Sequence, residues 1–226
     1  MRYLRTMLHH LLKDLRLEWR SRDAVVGILF FTLLVAVVFS MAFDPTGNPT
    51  LAREIAGGLL WVGLLFASIT ALNGSWDRER RNHVLDAHRM APAPPSALFL
   101  GKALANFVFV TLVELILAPV FVLFFNLHVL GQVWWLAAIL PLGTWALVVN
   151  GTFFAALSLR TRNRQMLLPL VLFPITIPAL LAMVQATTGV VTGEFEPDLW
   201  LKLLAGFDVS FTTACLLLFG AVLDAE

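Results

Sequence analysis

Residues 55–102 read IAGGLLWVGLLFASITALNGSWDRERRNHVLDAHRMAPAPPSALFLGK, and this stretch decides the fold. Its first part, residues 55–75, contains no charged side chain. A helix rising about 1.5 Å per residue needs about 20 apolar residues to cross a hydrocarbon core of about 30 Å. At Trp76 and Asp77 the character changes abruptly: residues 77–90 are dense in charge and helix-compatible, and Pro92, Pro94 and Pro95 close them off before a new apolar run begins. Two lipid-length runs separated by a short charged segment are the pattern of a membrane bundle.

The rest of the chain agrees. Of its 226 residues, 59% are hydrophobic and 14% charged, against about 45–50% and about 25% in soluble domains. That excludes disorder, a basic nucleic-acid-binding domain and a disulfide scaffold. The one cysteine, Cys215, sits in an apolar run and has no partner for an intramolecular bridge. Six segments are long and apolar enough to span: residues 24–43, 55–75, 104–125, 133–159, 166–184 and 199–223. The runs are continuous rather than alternating, so the expectation is an all-α integral membrane protein and not a barrel. No internal repeat or linker divides it, and residues 1–226 read as one membrane domain.

Basic residues set the expected orientation. Six precede the first span, five lie between spans two and three, and three (Arg160, Arg162, Arg164) lie between spans four and five. Only Arg53 and Lys202 of the sixteen Lys and Arg fall on the other side, beside the acidic Glu194, Glu196 and Asp198. Both termini are therefore expected in the cytoplasm. Residues 1–23 lack the short apolar core and cleavage site of a signal peptide. They read instead as an amphipathic interfacial helix, with Leu4, Leu8, Leu11, Leu15 and Trp19 on one face, flanked by Met7 and Leu12. Arg5, His9, Lys13, Arg16 and Arg20 occupy the other, among lipid headgroups.

Few residues carry chemistry. Gly101-Lys102 lacks the earlier glycine and the following Ser or Thr of a phosphate-binding loop, and no metalloprotease or haem-attachment spacing occurs. The chain reads as a non-enzyme. His128 alone of five histidines falls in the loop between spans three and four, a weak haem-contact candidate whose plainer reading is a solvated loop residue. His83 and His88 read as contact residues. Glu114 in span three and Asp208 in span six form a candidate intramembrane polar site, for a proton or a cationic group. The structural alternative for Glu114 is a bond to a neighbouring helix, with Asn106 and Asn150 available. Pro169, Pro174 and Pro178 predict a kink or break in span five.

The charged segment after span two is well suited to dock a cytoplasmic partner. Pairs such as Asp77–Arg81 and Asp86–Arg89 stand at helical spacing. In this setting the chain resembles the permease subunits of ABC exporters of the second type, and among them the cytochrome c maturation protein B family. The resemblance rests on Trp76-x-x-Glu79-x-x-x-His83-x-Leu85-Asp86 followed by Pro92-x-Pro94, and on LVLFPITIPALLA at residues 170–182. The sequence departs from the family pattern at His83 for glycine, Asp86 for glutamate and His88 for leucine.

The resemblance implies a coupling segment at Trp76, Glu79, Arg80, His83, Leu85 and Asp86. It also implies two permease copies working with a cytoplasmic ABC ATPase that holds the ATP, a haem-handling membrane protein and a small single-span subunit. The setting would be the bacterial cytoplasmic (inner) membrane, and the work would be haem export and release of the haem-loaded periplasmic chaperone. Haem enters as candidate substrate, with no cofactor bound by the chain itself. A permease for a drug, lipid or polysaccharide, and an ion-coupled carrier or intramembrane enzyme using Glu114 and Asp208, remain the alternatives.

Overall fold

A computed structural model describes residues 2–20, 22–81, 94–127, 133–158 and 164–224. Among these residues the chain forms seven helices and no strand: α1 (Arg2–Arg20), α2 (Arg22–Phe43), α3 (Pro49–Arg81), α4 (Pro95–Phe124), α5 (Val133–Ser158), α6 (Arg164–Thr192) and α7 (Asp198–Asp224). Helices α3 to α7 each hold a stretch long and apolar enough to cross a membrane, while the apolar part described in α2 is Leu29–Phe43. The all-helical expectation holds, and five such spans occur among the described residues.

Several helices outrun their apolar segments. Helix α3 continues unbroken from Pro49 through Trp76 to Arg81, so the charged segment begins as a continuation of the span rather than as a separate surface helix. At about 1.5 Å per residue it is about 50 Å long, well beyond a hydrocarbon core. Helix α4 starts at Pro95, which suits the first turn because proline lacks only an N–H that has no helical partner there. Lys102, expected in the preceding loop, therefore lies inside α4.

Of the kink or break expected at Pro169, Pro174 and Pro178, the break does not occur: helix α6 runs unbroken through all three. Each proline removes one backbone bond, yet packing on neighbouring helices keeps such a helix continuous in a membrane bundle. Thr176 lies between two of the prolines and donates its hydroxyl to the Leu172 carbonyl at 2.8 Å.

Helix α5 is central, packed against α3, α4, α6 and α7. The bundle interior is rich in alanine, glycine and Thr, whereas Phe30, Met41, Leu123, Leu170 and Leu217 point outward. Small residues inside and large apolar ones facing lipid let helix backbones approach closely. At Gly143 of α5 the Trp61 indole of α3 fills the place a side chain would occupy. Between α2 and α3, Asp44 adopts a positive φ of 40° and accepts from Thr46 Oγ1 at 2.7 Å and the Gly47 amide at 3.2 Å. These bonds hold the exposed Asp44 carboxyl below its ordinary range.

Helix α1 lies chiefly against α4. It has three faces rather than two. Leu4, Leu8 and Leu12 are exposed, Arg5, His9 and Arg16 are exposed beside them, and a third strip bearing Asp14 and Glu18 is buried against the bundle. Acids on the buried face of a helix demand partners, and those partners define the site.

Candidate functional site

The partner of Asp14 is Lys102, which is 1% exposed. A lysine at that depth is costly unless its three donors are used. The Lys102 ammonium donates to Asp14 Oδ2 at 3.1 Å and to Ser75 Oγ at 3.2 Å, stands 3.2 Å from Glu79 Oε1, and lies 4.7 Å from the centre of the Trp76 ring. Lys13 of α1 completes the group, donating to Glu79 Oε1 at 2.6 Å and standing 3.3 Å from Asp14 Oδ1. Two ammonium groups thus meet two carboxylates, tying α1, α3 and α4 together.

The balance shows in the electrostatics. Burial pushes the Glu79 carboxyl up, but the charges and hydrogen bonds of Lys102 and Lys13 outweigh it and hold the group below its ordinary 4.5. Burial likewise pushes the Lys13 amine down, and the Glu79 and Asp14 carboxylates outweigh that, holding it above 10.5. Opposite charges at contact distance favour both charged forms.

Next to the cluster, Gly101 lets α1 approach. A Cβ at this position would lie 2.7 Å from the Met7 carbonyl oxygen and 2.9 Å from His10 Cβ. The Gly101-Lys102 pair is thus explained by packing and charge: the glycine admits the α1 backbone, and the lysine binds its acid.

The cluster is anchored into the bundle through Trp76, which is 1% exposed. Its indole N–H donates to the Thr152 carbonyl of α5 at 2.9 Å, and its ring packs 5.9 Å from Phe219 of α7. Phe219 in turn stacks near Phe99 of α4 at 5.0 Å. Asn106 Nδ2 donates to Thr152 Oγ1 at 3.0 Å. Eight residues further along both helices, Thr144 donates to Glu114 Oε2 at 2.5 Å. Equal steps in opposite directions are what antiparallel α4 and α5 require, and they put Glu114 about 18 Å along α4 from Lys102.

Of the residues picked from the sequence, Trp76 and Glu79 come together, but both are buried inside the chain. Arg80 continues α3, while His83, Leu85, Asp86 and His128 lie outside the described residues. Glu114 takes Thr144 as its partner, not Asn106 or Asn150; Asn150 instead donates to the Ala146 carbonyl at 2.9 Å. Among the described residues no bond joins Glu114 to Asp208, and Asp208 is buried with neither carboxylate oxygen hydrogen-bonded. Asp14 and Lys102 were missed. The signals were a lone base within an apolar helix and an i,i+4 pair of acids, Asp14 and Glu18, on an otherwise basic segment. No group of three or more His, Cys, Asp or Glu that could hold a metal occurs among the described residues.

A multi-span helical membrane protein, with an amphipathic helix locked by buried charge to one end of its bundle, is the class these features define. The profile of the CcmB protein family matches residues 5–224. The chain is 36% identical over 170 residues to heme exporter protein B of Rhodobacter capsulatus, covering 75% of this chain and 76% of the relative. It is 36% identical over 172 residues to heme exporter protein B of Paracoccus denitrificans, covering 76% and 77%. To the protein of that name in Bradyrhizobium diazoefficiens it is 30% identical over 187 residues, covering 81% and 82%. The chain belongs to the CcmB family.

Proposed function

We propose that this chain is the permease subunit of an ABC-type haem-export complex serving cytochrome c maturation, in the bacterial cytoplasmic membrane. It works as one six-span domain with both termini in the cytoplasm, and two copies pair within the complex. ATP is hydrolysed on a separate cytoplasmic ATPase. A haem-handling membrane protein and a small single-span subunit complete the assembly, which releases the haem-loaded periplasmic chaperone.

The observation that carries the mechanism is the locked end of α3. Trp76 and Glu79 belong to the same unbroken helix as the span and are bonded to α1, α4 and α5. A push delivered to Arg80, His83, Leu85 and Asp86 by a closing ATPase would therefore reach three helices at once. In this reading Trp76 and Glu79 transmit the motion, and the residues beyond them make the contact. The names borne by the relatives favour haem over a drug, lipid or polysaccharide as cargo.

Purification of the chain from native membranes in mild detergent tests the reading. The expected result is co-purification of an ABC ATPase with components of cytochrome c maturation. A chain that purifies without any ATPase contradicts it.

A further inference from the structure

At the end of the bundle away from the charge cluster, the start of α5 and the loop between α6 and α7 border an open pocket of about 390 Å³. Its walls include Trp134, Trp135, Glu194, Phe195 and Glu196. The volume falls within the range of about 300–1,000 Å³ typical of ligand sites.

The loop is firmly shaped. Gly193 has a φ of 73° and donates its amide to the Gly189 carbonyl at 2.9 Å, closing α6 with the left-handed cap glycine permits. The Phe195 ring folds back over Gly189, where a Cβ would lie 2.6 Å from it. Pro197 is buried and accepts from the Leu201 amide at 2.9 Å. Glu194 and Glu196 are exposed on this frame, and neither has an ion-pair partner among the described residues. The nearest base in sequence, Lys202, is taken by Asp198 at 2.5 Å. Trp134 is 82% exposed, presenting an indole to the same opening.

We infer that this pocket receives a lysine or arginine side chain from a partner protein on that side of the membrane. Carboxylates without an ion-pair partner among the described residues, beside indole rings, suit a cation, which is drawn both by charge and by the ring faces. The ammonium of a phospholipid headgroup offers the same cation but brings a phosphate with it. Among the described residues no basic residue lines the pocket to receive that phosphate, and Glu194 and Glu196 repel it. A protein side chain carries no such anion, which is why the lining favours it. The inference stands on the pocket alone and does not depend on haem being the cargo.

The full chain in detergent, titrated with a fluorescent tetra-arginine peptide, tests this directly. The expected result is saturable binding that weakens roughly five- to tenfold in Glu194→Gln/Glu196→Gln and in Trp134→Ala. Glu54→Gln, an exposed acid on α3 outside the pocket lining, should leave binding unchanged. Equal loss in Glu54→Gln, or unchanged binding in the pocket variants, overturns the inference. So does abolition of peptide binding in nanodiscs of phosphatidylethanolamine but not of phosphatidylglycerol, which would assign the pocket to a lipid headgroup. Unchanged thermal unfolding of each variant shows that the readout is local.

Discussion

Lys102 Nζ lies 3.2 Å from Glu79 Oε1, with both side chains almost wholly shielded from solvent. The same ammonium holds Asp14 of α1. One buried cation therefore joins the amphipathic helix α1 to the end of the long helix α3, and the account of coupling starts from it.

Removing that cation leaves two carboxylates with only Lys13 between them. Lys102→Met should destabilise the protein by about 3–5 kcal/mol, the cost of stranding buried charge. The double variant Lys102→Met/Glu79→Gln leaves one ammonium facing one carboxylate and should recover part of the loss. Thermal unfolding in detergent measures both. Equal damage in the single and double variants would mean that the charges act independently.

Gly101→Ala tests the close approach of α1 without touching a charge. The new methyl group meets the Met7 backbone oxygen, which cannot rotate away as a flexible side chain can. A loss of about 1–3 kcal/mol is expected, as for other overpacked contacts. Limited proteolysis should cut α1 faster than in the wild type. Unchanged cleavage would show that α1 docks less tightly than the structure describes.

The charge cluster also predicts a flat pH response across the neutral range. Glu79 is held below 4.5, so its contribution is present above that value and is lost as pH falls through its folded pKa. Lys13 is held above 10.5, so its contribution is present below that value and is lost as pH rises through its folded pKa. A spin label at Leu8→Cys, on an exposed face of α1, reports the docking. Its spectrum should stay constant from about pH 5 to about pH 10 and sharpen below that window as the Glu79 carboxylate protonates. A transition near neutrality would contradict the charge assignment.

These expectations also mark where sequence was enough. The membrane class and five of the apolar spans follow from run length, because lipid imposes a length on helices that composition exposes directly. Trp76 and Glu79 stood out through their spacing and proved to be neighbours in space. Lys102 was placed in a loop because basic residues next to a span normally mark its watery end. Its partner is Asp14, 88 residues away in sequence, and no local pattern reveals such a pairing. The three prolines of α6 left a kink and a break both open, and the helix stays continuous because packing in the bundle replaces what each proline removes.

Glu114 separates the structural account from an ion-coupled one. Thr144 donates to its carboxyl within the bundle, and glutamine keeps an oxygen to accept that bond. Glu114→Gln combined with Asp208→Asn should therefore leave cytochrome c assembly intact. Glu114→Leu should lower stability by about 0.6–2 kcal/mol, typical of a lost interhelical bond in a membrane. Loss of haem delivery in the Gln/Asn variant, at normal membrane levels, would favour a carrier that moves protons or cations.

The most direct test of the central claim is the amount of haem covalently attached to c-type cytochromes, read by peroxidase stain in cells lacking this chain. The account predicts no attachment without the chain and full attachment with the wild-type chain restored. It further predicts strongly reduced attachment with Glu79→Lys at an equal membrane level. Normal haem attachment in cells lacking the chain would contradict it.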